Sequence, residues 1–267
     1  MNPLDVLNLC SPLVFVVYVQ FLKLIPPCPS SELMKTCRKW HNIFMSLLST
    51  FMFFFALLAF ATKNTIFNPT PSEFHKHVCH EWTQSVELDI AVLTFVGSKW
   101  VEMIDTLFLR LSGKPISKLH YFHHMTTCLL AWTNAYRVVG DFIPRSLTFS
   151  GVKYWYNTSY TVYHPNPGCW PAHAYNCMIH VVMYAHFAYP KGMFNRYRII
   201  ITQTQIFQHM LMIFVFGYAY VRQSKYGDCP QNNYSVEFAL GLYAMYFYDF
   251  LIFYIKSYKK KPAAKTN

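Results

Sequence analysis

The sequence predicts an all-α polytopic membrane protein with seven transmembrane helices, and three observations carry that prediction. Of the 267 residues, 54% are hydrophobic and only 13% are charged. The apolar residues are gathered in long blocks, such as FMFFFALLAF, instead of alternating with polar ones. Two of these blocks, 40–61 and 237–254, are long enough to cross a hydrocarbon layer of about 30 Å, which takes roughly 20 residues of helix.

The spans follow in chain order from this length requirement. The first, 6–25, contains Gln20 and Lys23, but it lacks the basic start and the small-residue cleavage site of a signal peptide, so we interpret it as a span. We expect a single membrane domain over 1–255, with an unusually long lumenal loop at 139–169, and a basic cytosolic tail at 256–267. The six other spans are predicted at 40–61, 88–110, 118–138, 170–189, 198–221 and 235–255.

The net charge of +11 could indicate nucleic acid binding, but its distribution argues against nucleic acid and favours a membrane orientation. One alternate set of loops, together with the tail, carries 14 of the 23 Lys and Arg residues and a single acidic residue, Glu32. The positive-inside rule places this set and the C-terminus in the cytosol, and seven crossings then place the N-terminus in the lumen.

Two features of the opposite set of loops agree with this orientation. The sequons at Asn157 and Asn233 both lie in it, where glycosylation can occur. Cys79 and Cys229 lie in it too, so the sequence fits either a disulfide between two lumenal loops or two unpaired cysteines.

Four of the predicted spans carry polar groups at helical spacing. Ionisable groups inside a membrane are costly and by default mark a site that faces a cavity. Each polar stripe must face another stripe, water or a ligand, because lipid offers no hydrogen-bonding partner. The stripes are Lys99, Glu102 and Asp105 in KWVEMIDT; His120, His123 and His124 in HYFHH; His180 and Tyr184 in HVVMYAHF; and Thr202, Gln205 and Gln208 in TQTQIFQ.

Each stripe also has a purely structural interpretation. The charged stripe could be a buried ion-pair set that fixes helix register, and the Thr and Gln stripe could form interhelical hydrogen bonds. A lone histidine is more often a core residue than a catalyst, and we place His41, His186 and His209 in that class. Three histidines within one HxxHH are much harder to explain by packing, so the four stripes together favour a functional cavity.

Three classes of function fit a polar cavity inside a helical bundle. A membrane di-iron desaturase or hydroxylase uses histidine boxes, but it needs several boxes and this chain has one. A transporter or receptor also carries polar groups within its spans, but the broken helices with paired Gly or Pro that many transporters show are missing here. A transferase that uses imidazole as a base or nucleophile accounts for the stripes best.

The order of the four stripes resembles the elongase (ELO) family of very-long-chain fatty acids. KWVEMIDT, HYFHH, HVVMY and TQTQIFQ match the family signatures KxxExxDT, HxxHH, HxxMYxYY and TxxQxxQ in sequence order, and the resemblance extends from about residue 88 to residue 255. The chain departs from the family where His186 and Phe187 replace a tyrosine pair, and in the long connection between His124 and His180.

This resemblance implies a six-helix-type bundle around an acyl tunnel, plus one peripheral helix, in the endoplasmic reticulum membrane. The implied reaction is that of a very-long-chain 3-oxoacyl-CoA synthase, in which acyl-CoA and malonyl-CoA give 3-oxoacyl-CoA, CO2 and CoA. The implied substrates are long chains, saturated or monounsaturated, and no cofactor or metal is expected. The implied partners are membrane lipid and the ketoreductase, dehydratase and enoyl reductase of the elongation cycle, while a homodimer is left open.

The resemblance also implies roles for the polar residues. His123 is expected to be the attacking or proton-accepting imidazole, with His180 as its partner. His120 and His124 would orient His123 or the thioester, while Glu102, Asp105 and Lys99 set tautomers and charge. Substrate binding is expected from Gln205, Gln208, Thr202 and Tyr184, and binding of the CoA phosphates from Arg110, Lys114, Lys118, Arg196, Arg198 and Lys256.

Overall fold

A computed structural model of the chain describes residues 6–7, 9–29, 31–61, 71–79, 86–135, 169–192, 197–229 and 233–259. These residues fold into α-helices joined by turns, with no strand among them, which confirms the all-α prediction. The loop predicted at 139–169 and the tail beyond residue 259 lie outside the described residues, apart from Cys169. The helices are α1 Ser11–Leu22, α2 Glu32–Ala61, α3 Pro71–Cys79, α4 Val86–Glu102, α5 Ile104–Leu111, α6 Lys118–Ala135, α7 Cys169–Ala188, α8 Arg198–Tyr226 and α9 Asn233–Tyr254, followed by a π-helical turn at Ile255–Lys259.

The membrane character of the chain is confirmed by three of these helices. The segments Glu32–Ala59, Arg198–Tyr226 and Val236–Tyr258 are long and apolar enough to cross a bilayer, and Ser11–Leu22 is a shorter apolar helix. Each of the seven predicted spans contains a helix, but the number of crossings stays a prediction. α2 begins at Glu32, eight residues before the predicted span. Lys35, Arg38 and Lys39, which the sequence assigned to a cytosolic loop, therefore lie on a helix.

The third predicted span is one segment in the sequence but two helices in the structure. α4 ends at Glu102 and α5 begins at Ile104, with Met103 at the junction. At this break the backbone forms tighter i to i−3 bonds, from Met103 N–H to the Trp100 carbonyl and from Thr106 N–H to the Met103 carbonyl. The Tyr18 hydroxyl donates to the Met103 carbonyl at 3.3 Å. The Met103 carbonyl therefore accepts from both the Thr106 N–H and the Tyr18 hydroxyl, and a side chain that enters the hydrogen-bond ladder in this way is a known cause of helix breaks.

Six helices contact one another in a closed ring. α2 packs on α7, α7 on α8, α8 on α9, α9 on α6, α6 on α4 and α4 on α2, while α1 lies outside the ring against α6. The Ser46 hydroxyl joins the first of these pairs by donating to the Val181 carbonyl at 2.9 Å. Among the described residues six helices therefore form a ring with α1 beside it, while the acyl tunnel and the seven crossings stay predictions.

Inside the ring of helices, the end nearer the Cys79–Cys229 disulfide is filled by side chains. Met212 and Phe216 of α8 and Tyr243 and Tyr246 of α9 form the centre of a buried cluster that reaches from α6 to the Cys79–Cys229 disulfide. The structure therefore forms the disulfide that the sequence left open. This disulfide follows the C-terminal end of α8, where Gly227 ends the helix in the left-handed region at φ 68°.

Candidate active site

At the end of the helix ring farther from the disulfide, the helices enclose a cavity of about 550 Å³. Its lining on α8 runs from Arg198 to His209, which corresponds to about 16 Å of helix. Beyond His209, the next inward-facing residue of α8 is Met212, which is fully buried. The cavity therefore ends where the packed core begins. Its other end lies at Arg198, the first residue of α8, whereas the disulfide follows the last turn of that helix.

The HxxHH histidines lie in the first two turns of α6 and all three line this cavity. Ser117 precedes the helix and its hydroxyl accepts a hydrogen bond from the His120 backbone N–H at 3.1 Å. The His120 and His124 rings are stacked with centroids 4.0 Å apart, as the i, i+4 spacing predicts. The His120 Nε2 atom is hydrogen-bonded to the Thr106 hydroxyl at 2.9 Å. His123 faces a different side, with its ring 5.2 Å from that of Tyr246.

Glu102 connects the charged stripe of α4 to His180 of α7. Its Oε1 atom lies 2.7 Å from the Lys99 ammonium and 3.3 Å from His180 Nδ1. Lys99 also donates to the side-chain oxygen of Asn176 at 3.2 Å and lies 4.3 Å above the Phe95 ring. Glu102 and His180 line the cavity, whereas Lys99 lies behind them. Glu102 therefore lies against one cavity imidazole and also neutralises a buried cation, while its effect on the tautomer of that imidazole stays a prediction.

Asp105 serves a different part of the cavity from the histidine box. Its Oδ1 atom pairs with His41 Nε2 at 2.9 Å, and its Oδ2 atom accepts a hydrogen bond from the Tyr184 hydroxyl at 2.7 Å. The sequence analysis expected Asp105 to act beside Glu102 on the histidines. In the structure Asp105 is bonded to a histidine outside the box, His41, and to Tyr184, and its effect on the HxxHH histidines stays a prediction.

The Thr and Gln stripe of α8 faces the cavity along three turns. Thr202, Gln205 and Gln208 all contribute to the lining. Gln205 donates to the sulfur of Met183 at 3.5 Å, and the Thr202 and Tyr258 hydroxyls are 3.4 Å apart. The Thr202 hydroxyl also donates to the Arg198 carbonyl one turn earlier at 3.1 Å. The stripe therefore lines the cavity and also contacts α7 and the π-helical turn.

The structure places five of the six expected basic residues. Lys114 and Arg198 line the cavity, whereas Lys118 and Lys256 are exposed and do not. The Arg110 guanidinium donates to the backbone carbonyls of residues 22, 23 and 25 at 3.0 to 3.1 Å, so it caps α1. Arg196 lies outside the described residues.

The sequence analysis missed several residues of the site. Arg38, Asn42 and Asn176 line the cavity, and His186 and His209, which we had placed in the core class, line it too. His41, placed in the same class, is bonded to Asp105. The missed signal on α2 is a fifth stripe at helical spacing, which consists of Arg38, His41, Asn42, Ser46 and Ser49.

The mouth of the cavity is basic. Arg38, Lys114 and Arg198 lie there, and none of them is paired with a carboxylate among the described residues. Arg38 donates to the Ser112 hydroxyl at 3.0 Å. Three cations without counter-charges at the entrance of a cavity favour an anionic ligand. In the part of the chain that the structure describes, no three His, Cys, Asp or Glu side chains are grouped as a metal site.

Comparisons with known proteins support the family that the motifs indicate. The sequence model of the ELO, GNS1/SUR4, family matches residues 8–156 and 149–266. The chain is 30% identical over 204 residues to fatty acid elongase 3 of Trypanosoma cruzi, a match that covers 73% of this chain and 59% of that protein. It is 27% identical over 238 residues to putative fatty acid elongase 1 of Schizosaccharomyces pombe, over 85% of this chain and 61% of that protein.

A third relative is covered more fully. Fatty acid elongase A of Dictyostelium discoideum is 26% identical over 238 residues, which are 85% of this chain and 73% of that protein. The chain thus spans about three fifths of the first two relatives and nearly three quarters of the third. Because the family match extends over almost the whole sequence, the chain belongs to the ELO (GNS1/SUR4) family of fatty acid elongases.

Proposed function

We propose that this chain catalyses the condensing step of fatty acid elongation, in which acyl-CoA and malonyl-CoA give 3-oxoacyl-CoA, CO2 and CoA. One observation carries the proposal: a single cavity is lined by His120, His123, His124 and His180, and its mouth carries three cations for which the described residues offer no carboxylate partner. Imidazoles can attack a thioester or take a proton, and cations can hold the phosphates of the coenzyme.

The chemistry needs a group that attacks or deprotonates and donors that stabilise an enolate. His123 is the proposed attacking or proton-accepting imidazole, with His180 as its partner because Glu102 fixes the orientation of His180. The thioester C–S bond of acyl-CoA breaks and the new C–C bond forms as malonyl-CoA loses CO2. The departing CoA thiolate takes up one proton. Side-chain amides of Gln205 and Gln208 are available as donors to the developing oxyanion.

The two ends of α8 support the proposed orientation in the endoplasmic reticulum membrane. The basic mouth lies at Arg198, and the disulfide follows the other end of the same helix, about 43 Å away by helix length. Disulfides persist in oxidising compartments, and coenzyme A is expected on the cytosolic side. The proposal therefore places the mouth and the C-terminus in the cytosol and the N-terminus in the lumen.

The proposed substrates are long acyl chains, saturated or monounsaturated. The apolar part of the lining, which includes Ile179, Met183 and Phe187, offers a surface for the chain. The 3-oxo product requires a ketoreductase, a dehydratase and an enoyl reductase to complete a cycle, and these enzymes are the proposed partners.

Membranes that contain the full chain provide the test. They are incubated with isotopically labelled malonyl-CoA and a ladder of acyl-CoAs, and the 3-oxoacyl-CoA products are identified by mass spectrometry. We expect labelled 3-oxoacyl-CoA from wild-type membranes and none from His123→Ala, since that variant lacks the reacting imidazole. The matched control is His77→Ala, which removes an imidazole from α3 outside the cavity lining.

Two outcomes would overturn the proposal. Absence of any 3-oxoacyl-CoA from correctly folded wild-type protein would reject condensation. Full activity of His123→Ala would reject the role of the histidine box. A product that is oxidised but not lengthened would favour the desaturase or hydroxylase class instead.

A further inference from the structure

The His41 ring of α2 is bonded to Asp105 of the KWVEMIDT motif. Its side chain is 9% exposed and its Nε2 atom lies 2.9 Å from Asp105 Oδ1. The ring also packs beside Phe108, with centroids 5.3 Å apart, and meets the Tyr184 ring edge-on at 6.4 Å. His41 is therefore held against both Asp105 and Tyr184.

The Asp105 carboxylate has a fixed orientation because each of its oxygens has a partner. Oδ1 is bonded to His41 and Oδ2 accepts from Tyr184. Three helices contribute to this arrangement, α2, α5 and α7, so it forms only when these three helices are packed together. Hydrogen bonds to a charged group are stronger than neutral ones, so this carboxylate is well suited to hold a hydroxyl in one direction.

The held hydroxyl lies beside the proposed chemistry. Tyr184 lines the cavity, and its ring meets the ring of His180 edge-on, with centroids 5.6 Å apart. Because the Tyr184 proton is donated to Asp105, its oxygen is left to accept hydrogen bonds from the cavity side. Without His41, Asp105 could turn toward water at the cavity, and the direction of the Tyr184 hydroxyl would no longer be fixed.

We infer that His41 is a positioning residue of the condensing site, which acts through Asp105 to fix the Tyr184 hydroxyl beside His180. The inference rests on the proposed function. His41 itself does not line the cavity, so it is not expected to touch substrate. Its effect on the rate of condensation should pass entirely through Tyr184, so a double-mutant cycle with Tyr184 can distinguish positioning from a structural role.

A double-mutant cycle tests the inference in membranes that carry the full chain. His41→Leu removes the nitrogen, His41→Gln keeps an N–H near the position of Nε2, and each is made with Tyr184 and with Tyr184→Phe. We expect His41→Leu to lower kcat by about tenfold, the size of one lost bond to a charged group, with KM for acyl-CoA little changed. His41→Gln should restore most of that loss, and His41→Leu should have no further effect in Tyr184→Phe.

Several outcomes separate this inference from its alternatives. Equal losses from His41→Leu and His41→Gln, or a loss of the same size in the Tyr184→Phe background, would overturn it and leave a packing role. Lack of product from wild-type protein would instead defeat the proposed function, and the inference with it. Leu47→Ala is the matched control on α2, because its side chain is 65% exposed on the outer face. Thermal unfolding in detergent shows whether each variant is folded.

Discussion

The Lys99 ammonium and the Glu102 carboxylate lie 2.7 Å apart, and their side chains are only 4% and 3% exposed. The same Glu102 oxygen is 3.3 Å from His180 Nδ1. One carboxylate therefore neutralises a buried cation and orients a cavity imidazole at the same time. These two functions of Glu102 can be separated by experiment.

Glu102→Gln should destabilise the protein by about 3–5 kcal/mol, because it leaves the Lys99 charge buried without a counter-charge. The double variant Lys99→Met, Glu102→Gln should recover most of that stability, since no unpaired charge remains. Condensing activity should stay low in both, because His180 has lost its charged partner. Thermal unfolding in detergent and product formation from malonyl-CoA measure the two effects. A double variant as active as wild type would show that the pair is purely structural.

The Cys79–Cys229 disulfide joins residues that are 150 positions apart in the sequence. Cys79→Ser should therefore lower stability by about 2–5 kcal/mol, the usual cost of losing a native disulfide. Cys37→Ser is the control, because Cys37 is an exposed free thiol. Unfolding in detergent, with and without reductant, measures the difference. If reductant shifts the unfolding of wild type no more than that of Cys79→Ser, the bond does not form in the protein.

The elements that the sequence predicted well are those in which local pattern and burial agree. Each of the six later spans is helical in the structure, although α2 begins eight residues early and the third span is two helices, because an apolar block of that length has no other way to satisfy its backbone in a membrane. The break at Met103 was not predicted, since no Pro or Gly marks it. The Tyr18 hydroxyl that bonds to the Met103 carbonyl at the break lies 85 residues away in the sequence, so local spacing does not reveal it.

The candidate site was predicted where its residues form stripes on single helices. His120, His123, His124, His180 and Gln208 were all found from spacing, and all line one cavity. The pairing of Asp105 with His41 was missed because it joins two helices, and spacing within one helix carries no information about partners on another. The same reason explains Arg110, which looked like a ligand for phosphate but binds backbone carbonyls of α1.

Met212 should limit the length of the acyl chain. It is fully buried and lies one turn beyond Gln208 on the same face of α8, where the cavity ends against the core. Met212→Ala should shift the preferred acyl-CoA toward longer chains, because it extends the cavity, at a cost of about 2–5 kcal/mol in stability. The product ladder from labelled malonyl-CoA measures the shift. Met210→Ala, a change at an outward-facing residue that is 48% exposed, should leave the ladder unchanged.

The basic mouth should control substrate affinity more than the rate of the chemical step. Arg38, Lys114 and Arg198 line the cavity and have no carboxylate partner among the described residues, so their charge is available to an anionic ligand, which in the proposed function is coenzyme A.

Arg38→Gln and Arg198→Gln should each raise KM for malonyl-CoA by about threefold to tenfold, as expected for one lost charge-assisted contact, with a smaller change in kcat. The dependence of KM on salt should weaken in both variants, because fewer charges remain to be screened. Lys225→Met removes a cation at the far end of α8 and should change neither quantity. If Lys225→Met raised KM as much as Arg198→Gln, the effect would come from net charge and not from the mouth, and the cavity would need a different entrance for its anionic ligand.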